Sequence, residues 1–130
     1  MNRCLRLASA AATFVLAGCA LLPAPGLIDV IERPAERALF NGLRAYDEGQ
    51  YGDAERELKA ALAAGLASAK DRAAAHKHLA FVYCASQRVA PCEAAFRAAR
   101  EADPAFELTR AEAGHPLWGP VYRRVAVAAR

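Results

Sequence analysis

The chain has 130 residues, of which 17 are basic and 14 acidic, so its formal net charge is +3. This length suits one domain with a modest core, and a charge this close to neutral lacks the basic footprint of a nucleic-acid-binding protein. Alanine, leucine, arginine and glutamate are common, and β-branched residues never alternate over the length of a strand after residue 18. The composition therefore predicts an all-α fold.

The N-terminal segment has the pattern of a secretion signal. Arg3 and Arg6 give it a positive start, and the stretch from residue 7 to residue 16 is mostly apolar. That stretch is too short to cross the roughly 30 Å hydrocarbon core of a bilayer as a helix, but it suits a signal peptide. The motif Leu16-Ala17-Gly18-Cys19 follows, and it resembles the lipobox of bacterial lipoproteins. The alternative is a buried N-terminal helix with a chance cysteine.

The lipobox resemblance implies where the mature protein begins and where it resides. It implies cleavage before Cys19 and lipidation of that cysteine, which leaves 112 residues with a net charge of +1. Residues 1–18 are then a signal peptide, and residues 19–30, with two prolines and a glycine, are a lipidated tether. Ala20 stands where an aspartate would retain a lipoprotein at the inner membrane. We therefore expect a lipid-anchored protein on the periplasmic face of the outer membrane.

Helical spacing and turn residues divide the next part of the chain into four helices. Gly49 and Gly65 interrupt the apolar pattern, and Ser68 stands three residues before Asp71 as a weak N-terminal cap. The predicted helices run from Pro34 to about Glu48, from Asp53 to about Ala64, from Ala69 to about Cys84, and from near Pro91 to Asp103. The short turns between them predict antiparallel neighbours.

An internal repeat of 38 residues relates the first two helices to the second two. The first set, Gly42, Ala54, Leu58 and Ala61, recurs as Ala80, Cys92, Phe96 and Ala99. The second unit reads His76-x₂-Leu79-Ala80-x₂-Tyr83, then Cys92-x₃-Phe96, which resembles the tetratricopeptide (TPR) repeat. The resemblance implies that residues 31–104 form two TPR-like antiparallel helix pairs, with small residues where paired helices approach closely. The alternative is a generic alanine-rich helical bundle.

The tail, residues 105–130, is predicted to be a capping segment, because two repeats are fewer than such arrays usually need. Thr109-Arg110-Ala111-Glu112 has the form of a capping box, and Pro120 opens a last helix. Trp118 and Tyr122 offer large apolar surfaces. They either pack as part of the cap or form a partner-binding site.

Two cysteines remain in the mature chain once Cys19 carries lipid, and an oxidising periplasm favours a disulfide between them. Cys84 and Cys92 fall at the end of the third helix and the start of the fourth, where a tight turn can bring their Cα atoms within the required distance. The alternative is two reduced, buried cysteines. Together with His76 they match no known zinc spacing, and no catalytic constellation is visible. We therefore expect no metal, no cofactor and no enzymatic activity.

In TPR units the first helix of each pair lines a groove that binds peptides or partner helices. The corresponding candidate residues here are Leu39, Leu43, Tyr46, Lys77 and Phe81. The charge of Lys77 predicts an acidic ligand group at one end of the groove, and the aromatic residues suit interface anchors. The alternative is that some of these side chains only fill the small core.

A closer resemblance adds the two ends of the chain to the repeat pair. The lipobox is followed, after the repeats, by Asp103-Pro104-x-Phe106-x-Leu108 and Ala113-Gly114-His115-Pro116-x-Trp118-Gly119-Pro120, which resemble the TssQ-type lipoproteins associated with type VI secretion systems. The resemblance implies an adaptor that binds a protein of an envelope-spanning machine, with membrane contact through the lipid and neither nucleic acid nor a small-molecule substrate. The alternatives are a pilotin-like lipoprotein that escorts secretin subunits, a TPR lipoprotein of another envelope-assembly machine, and a periplasmic redox or metal protein using Cys84 and Cys92.

Overall fold

The computed structural model describes residues 33–128, and within that range every regular element is a helix. The predicted signal peptide (1–18), the lipidation site Cys19 and the tether (19–30) lie outside the described residues. The helices, numbered in chain order, are α1 (Pro34–Asp47), α2 (Tyr51–Ala64), α3 (Ala69–Ala85), α4 (Val89–Ala102), α5 (Arg110–Ala113) and α6 (Gly119–Ala128). None of these helices is both long enough and apolar enough to span a bilayer.

The helices form two antiparallel pairs and a cap. α1 packs against α2, α3 packs against α4, and the contact of α2 with α3 joins the two pairs. α6 closes the array by packing on α4, and the single turn of α5 lies beside α6. The prediction of an all-α fold, with two TPR-like helix pairs and a C-terminal capping helix, is confirmed.

Capping residues determine where several of the helices begin or end. Gly65 follows α2 with a φ of +89°, a left-handed conformation that glycine adopts without steric cost. The Ser68 hydroxyl accepts a hydrogen bond from the Asp71 N–H at the start of α3. Thr109 and Glu112 form both hydrogen bonds of a capping box at the start of α5. The caps predicted from the sequence at these two helix starts are therefore present.

Two helices begin two residues earlier than the sequence predicts. α2 begins at Tyr51 rather than at Asp53, and α4 begins at Val89 rather than near Pro91. Pro91 fits inside the first turn of α4, because the first four N–H groups of a helix have no partner within it and proline lacks that group. Proline is therefore compatible with the whole first turn of a helix and not only with its first residue.

Paired helices approach closely where the repeat places small residues. A Cβ atom added to Gly42 of α1 would stand 2.8 Å from the Leu58 Cγ atom and 3.1 Å from the Leu58 backbone nitrogen in α2. Leu58 has no exposed surface, and neither has Ala54 on the same helix. In the second pair the matching residues, Ala80 and Cys92, are also fully buried. The two pairs therefore share one packing scheme around their small residues.

A disulfide closes the turn between α3 and α4. It joins Cys84 to Cys92, whose Cα atoms are 5.3 Å apart, and neither residue is more than 5% exposed. Arg88 in the same turn donates to the Glu55 carboxylate of α2 at 2.7 Å, and its guanidinium lies 4.6 Å from the Tyr83 ring centre. The turn is thus fixed covalently within the second pair and by an ion pair to the first.

Candidate partner-binding surface

The structure brings the predicted groove residues of α1 and α3 to one inner face. Leu39 and Phe81 are buried, at 8% and 3% exposure, and belong to the core. Leu43 and Tyr46 are partly buried and pack against that core, and the Tyr46 and Phe81 ring centres are 6.1 Å apart. Lys77, also partly buried, places its ammonium 5.7 Å from the Phe81 ring centre. The two pairs thus meet in a mixed aromatic and cationic surface.

A segment of the tail, residues 109–118, lies over this inner face; we call it the strap. The Lys77 ammonium donates a hydrogen bond to the Glu112 carboxylate at 2.7 Å. Trp118 stacks on Phe81, with ring centres 4.3 Å apart and planes inclined by 25°. The acidic group that the sequence predicts opposite Lys77 is therefore supplied here by the chain itself.

Glu112 and Trp118 are also joined to each other within the strap. One Glu112 carboxylate oxygen accepts from the Thr109 N–H at 2.9 Å, which completes the capping box of α5. The Trp118 indole N–H donates to the Glu112 carbonyl at 2.9 Å. His115 stacks on Trp118, with ring centres 3.5 Å apart. The two groups that contact α3 are thus held in one fixed arrangement.

Tyr122 is not part of the inner face, because it lies in the cap over α4. It is 8% exposed, and its ring contacts the edges of Phe96 and Phe106 at centre distances of 5.3 and 6.4 Å. Its hydroxyl accepts a hydrogen bond from the Leu108 N–H at 3.2 Å. Tyr122 is therefore packed in the cap and Trp118 on the inner face, and the contact of either with a partner stays a prediction.

The ionisation of the inner face follows from these contacts. Burial raises the pKa of Glu112, but the hydrogen bonds from Lys77 and from the backbone at the start of the strap outweigh it, so this pKa lies below its usual value. Burial and the nearby Tyr51 raise the pKa of Tyr46, and burial lowers the pKa of His78. At neutral pH a charged carboxylate therefore lies beside a neutral phenol and a neutral imidazole.

A second surface, which the sequence did not indicate, is an open trough between α2 and α4. The Cα atoms of these two helices stay more than 8 Å apart, and α3 forms the floor between them. The trough has a volume of about 410 Å³, and the residues lining it are Lys59, Leu62, His76, Leu79, Tyr83, Pro91, Ala94, Ala95 and Ala98. The small alanine side chains of α4 leave this space open.

The structure also bears on His76 and on the alternative of a redox or metal site. His76 lies partly buried on the floor of the trough, where burial lowers its pKa. The thiols that a redox or metal site would require are both in the disulfide. Within residues 33–128 no three histidine, cysteine, aspartate or glutamate side chains are grouped so that they could hold a metal ion.

No known family matches this chain, and neither a curated protein nor a solved structure matches it significantly.

Proposed function

We propose that this protein is a periplasm-facing lipoprotein of the outer membrane that acts as a protein-binding adaptor, accessory to a type VI secretion system. The observation that carries the proposal is the lipobox-like Leu16-Ala17-Gly18-Cys19, placed ahead of a small array of helix pairs. Helix pairs of this kind supply surface for another helix or peptide. The proposal assigns no reaction to the chain.

The proposed anchor accounts for a domain of modest size at a membrane. Each buried methylene of an acyl chain contributes about 0.8 kcal/mol, so several chains on Cys19 hold the protein durably where one chain alone is marginal. Residues 20–32 then separate the lipid from Arg33, the first residue that the structure describes. The domain would remain close to the membrane and within reach of a machine that crosses it.

Support for the secretion machine comes from the tail motif. The resemblance to TssQ-type lipoproteins includes Phe106, Leu108 and Trp118, and each of these has a packing role here. Phe106 and Leu108 are buried, and Trp118 covers Phe81. The motif is thus consistent with a cap on a short array, which an adaptor of this size requires.

The anchor is tested by substituting Cys19 in the native host. We expect Cys19→Ala to lose incorporation of labelled palmitate and to leave the membrane fraction. Cys4→Ala is the matched control, because Cys4 lies in the predicted signal peptide and should change neither property. Full palmitate incorporation and membrane association in Cys19→Ala would contradict the proposed lipoprotein.

The adaptor role is tested by photo-crosslinking in living cells. A photoreactive residue at Ala94, in the trough, or at Leu117, 51% exposed on the strap, should give a crosslink to a component of the secretion apparatus. The same residue at the exposed Arg56 on α2 is the control for non-specific contacts. Identical product patterns at the three positions, or none, would argue against an adaptor of this machine.

A further inference from the structure

The strap is a lightly held segment between two firmly anchored ones. Before it, Phe106 and Leu108 are buried, and after it α6 buries Val121, Tyr122 and Val125. Between residues 109 and 118 no side chain is fully buried. The strap is tied to α6 by the bond from the exposed Arg123 guanidinium to the Ala113 carbonyl, at 3.1 Å, and by the His115 and Trp118 carbonyls, which accept from the Gly119 and Tyr122 N–H groups. The Glu112 and Trp118 side chains can therefore leave the inner face while the backbone around residues 115–118 stays on α6.

Two side-chain contacts hold the strap on α3. The ion pair of Lys77 with Glu112 retains 21% and 25% side-chain exposure, so water reaches both groups. An ion pair that water reaches is weak, because solvent screens the attraction and two long side chains must be ordered. The stacking of Trp118 on Phe81 adds a modest stabilisation beyond the area that it buries. These contacts are weak compared with the burial that secures α6.

We propose that the strap occupies the place of an external ligand, and that the inner face binds a partner segment carrying a carboxylate and, about six residues later, an aromatic side chain. This inference rests on the proposed adaptor function and names the class of ligand that the inner face would bind. The proposed spacing between the two groups is that between Glu112 and Trp118, the strap residues that contact the inner face.

A partner that carries both groups reproduces the two contacts that the strap makes with α3. Lys77 remains paired with a carboxylate, and Phe81 remains covered by an aromatic ring. An uncovered Phe81 would expose a side chain that is now only 3% exposed, which is unfavourable. A partner that lacks the aromatic group leaves Phe81 uncovered, and one that lacks the carboxylate leaves Lys77 unpaired.

The inner face is selective because the strap that competes for it belongs to the same chain. An intramolecular segment competes at an effective concentration on the order of millimolar, so only a ligand that reproduces both contacts displaces it. The strap thus excludes segments that offer an acidic group alone or an aromatic group alone. This selectivity is the property that an adaptor for one machine needs.

The first test measures whether the strap opens separately from the core. Trp118 is the only tryptophan, so its indole N–H is assigned without ambiguity by NMR, and its hydrogen exchange reports loss of the bond to the Glu112 carbonyl that holds the strap in its closed arrangement. We expect this proton to exchange at least tenfold more slowly than a free indole, yet at least tenfold faster than the backbone amide of the fully buried Leu58. Exchange of both groups at the rate of global unfolding would overturn the proposal.

Two matched substitutions test whether the ion pair of Lys77 with Glu112 controls the opening of the strap. Glu112→Gln removes the charge that faces Lys77 but keeps a residue suited to the capping box. Glu101→Gln makes the same change on an exposed residue of α4, away from Lys77. We expect Glu112→Gln to raise the indole exchange rate roughly fivefold or more, with Leu58 unaffected, and Glu101→Gln to leave both rates unchanged. Equal rates in the two variants would count against the strap.

The second test supplies the ligand as a synthetic peptide with the sequence of residues 108–119. Added to the ¹⁵N-labelled domain, it should shift the amide signals of Lys77 and Phe81. It should bind the Glu112→Gln protein at least tenfold more tightly than the wild type, because the competing strap is weaker. A peptide with lysine in place of its glutamate should not bind. Binding only in the trough, self-association of the domain, or equal affinity for both proteins would refute the proposed ligand.

These outcomes are separable from those of the proposed function. A strap that opens only on global unfolding leaves the membrane anchor and a crosslink from Ala94 intact. Loss of both anchor and crosslinks would remove the adaptor role, yet the exchange of the Trp118 indole would still report strap opening. The two proposals therefore stand or fall on different measurements.

Discussion

The close approach of α1 and α2 at Gly42 gives the sharpest stability prediction. In Gly42→Ala the added methyl would stand 2.8 Å from the Leu58 Cγ atom and 3.1 Å from its backbone nitrogen. Leu58 is fully buried, so its side chain cannot turn out to solvent, and its backbone nitrogen can move away only with α2. Overpacking of this kind costs about 1–3 kcal/mol. The helix preference of alanine over glycine returns up to about 1 kcal/mol.

The net expectation is a loss of about 1–2 kcal/mol in the free energy of unfolding, because a backbone contact is involved and the cost lies in the upper part of its range. For a domain of about 100 residues this lowers the melting temperature by roughly 4–16 °C. Urea denaturation followed by circular dichroism at the helical band measures the free energy, and a thermal scan provides the second value.

The same substitution at another glycine of the first pair is the control. Gly52 lies in α2, and a Cβ atom added to it meets no atom within 4 Å. Gly52→Ala should therefore leave the stability unchanged or raise it by up to about 1 kcal/mol, since alanine restricts the unfolded chain. If Gly42→Ala were as stable as the wild type, the argument from close approach would be refuted.

Three further substitutions test contacts described above. Replacing Cys84 and Cys92 together by serine should lower the unfolding free energy by about 2–3 kcal/mol, because an open chain regains the entropy of a short loop; equal denaturation curves for reduced and oxidised protein would contradict this. Tyr122→Phe should cost about 1–2 kcal/mol in urea denaturation, since the buried Leu108 N–H loses its acceptor, and an unchanged midpoint would show that water replaces the hydroxyl. Glu55, with hydrogen bonds from the cations of α2 and of the α3–α4 turn, has its pKa lowered from 4.5 to about 2. Its stabilising contribution is therefore present above about pH 4.5 and is lost as the pH falls toward 2, so the stability difference between wild type and Glu55→Gln should shrink over that range and not above it.

The sequence predicted the helix pairs well because their determinants are local. Apolar spacing, the glycines that end α1 and α2, and the Ser68 and Thr109 caps act within one or two turns of the chain. The small residue at position 42 and its repeat at position 80 also predicted close helix packing. The disulfide followed from the same reasoning, because its two cysteines flank a single turn.

The sequence predicted which residues of α1 and α3 form the inner face, but not that the strap covers them, because the strap is distant in sequence. Glu112 was recognised as a cap residue, but nothing local connects it with Lys77, 35 residues earlier. The same holds for Trp118, whose stacking on Phe81 depends on how the tail folds back. The trough between α2 and α4 was missed because it results from a distance between helices, which a pattern of side chains does not determine.

The packing of α2 on α3 has a consequence for how the protein unfolds. An array of two repeats separates into independent halves when the interface between them is weak, since its stability is approximately the sum of repeat and interface terms. Here α2 and α3 pack along that interface, and the exposed ion pair of Arg88 with Glu55 adds only a small contribution at the disulfide-closed turn. The packing of the two helices makes the loss of one half costly for the other. The two pairs should therefore melt in a single cooperative transition, and calorimetric and van't Hoff enthalpies should agree.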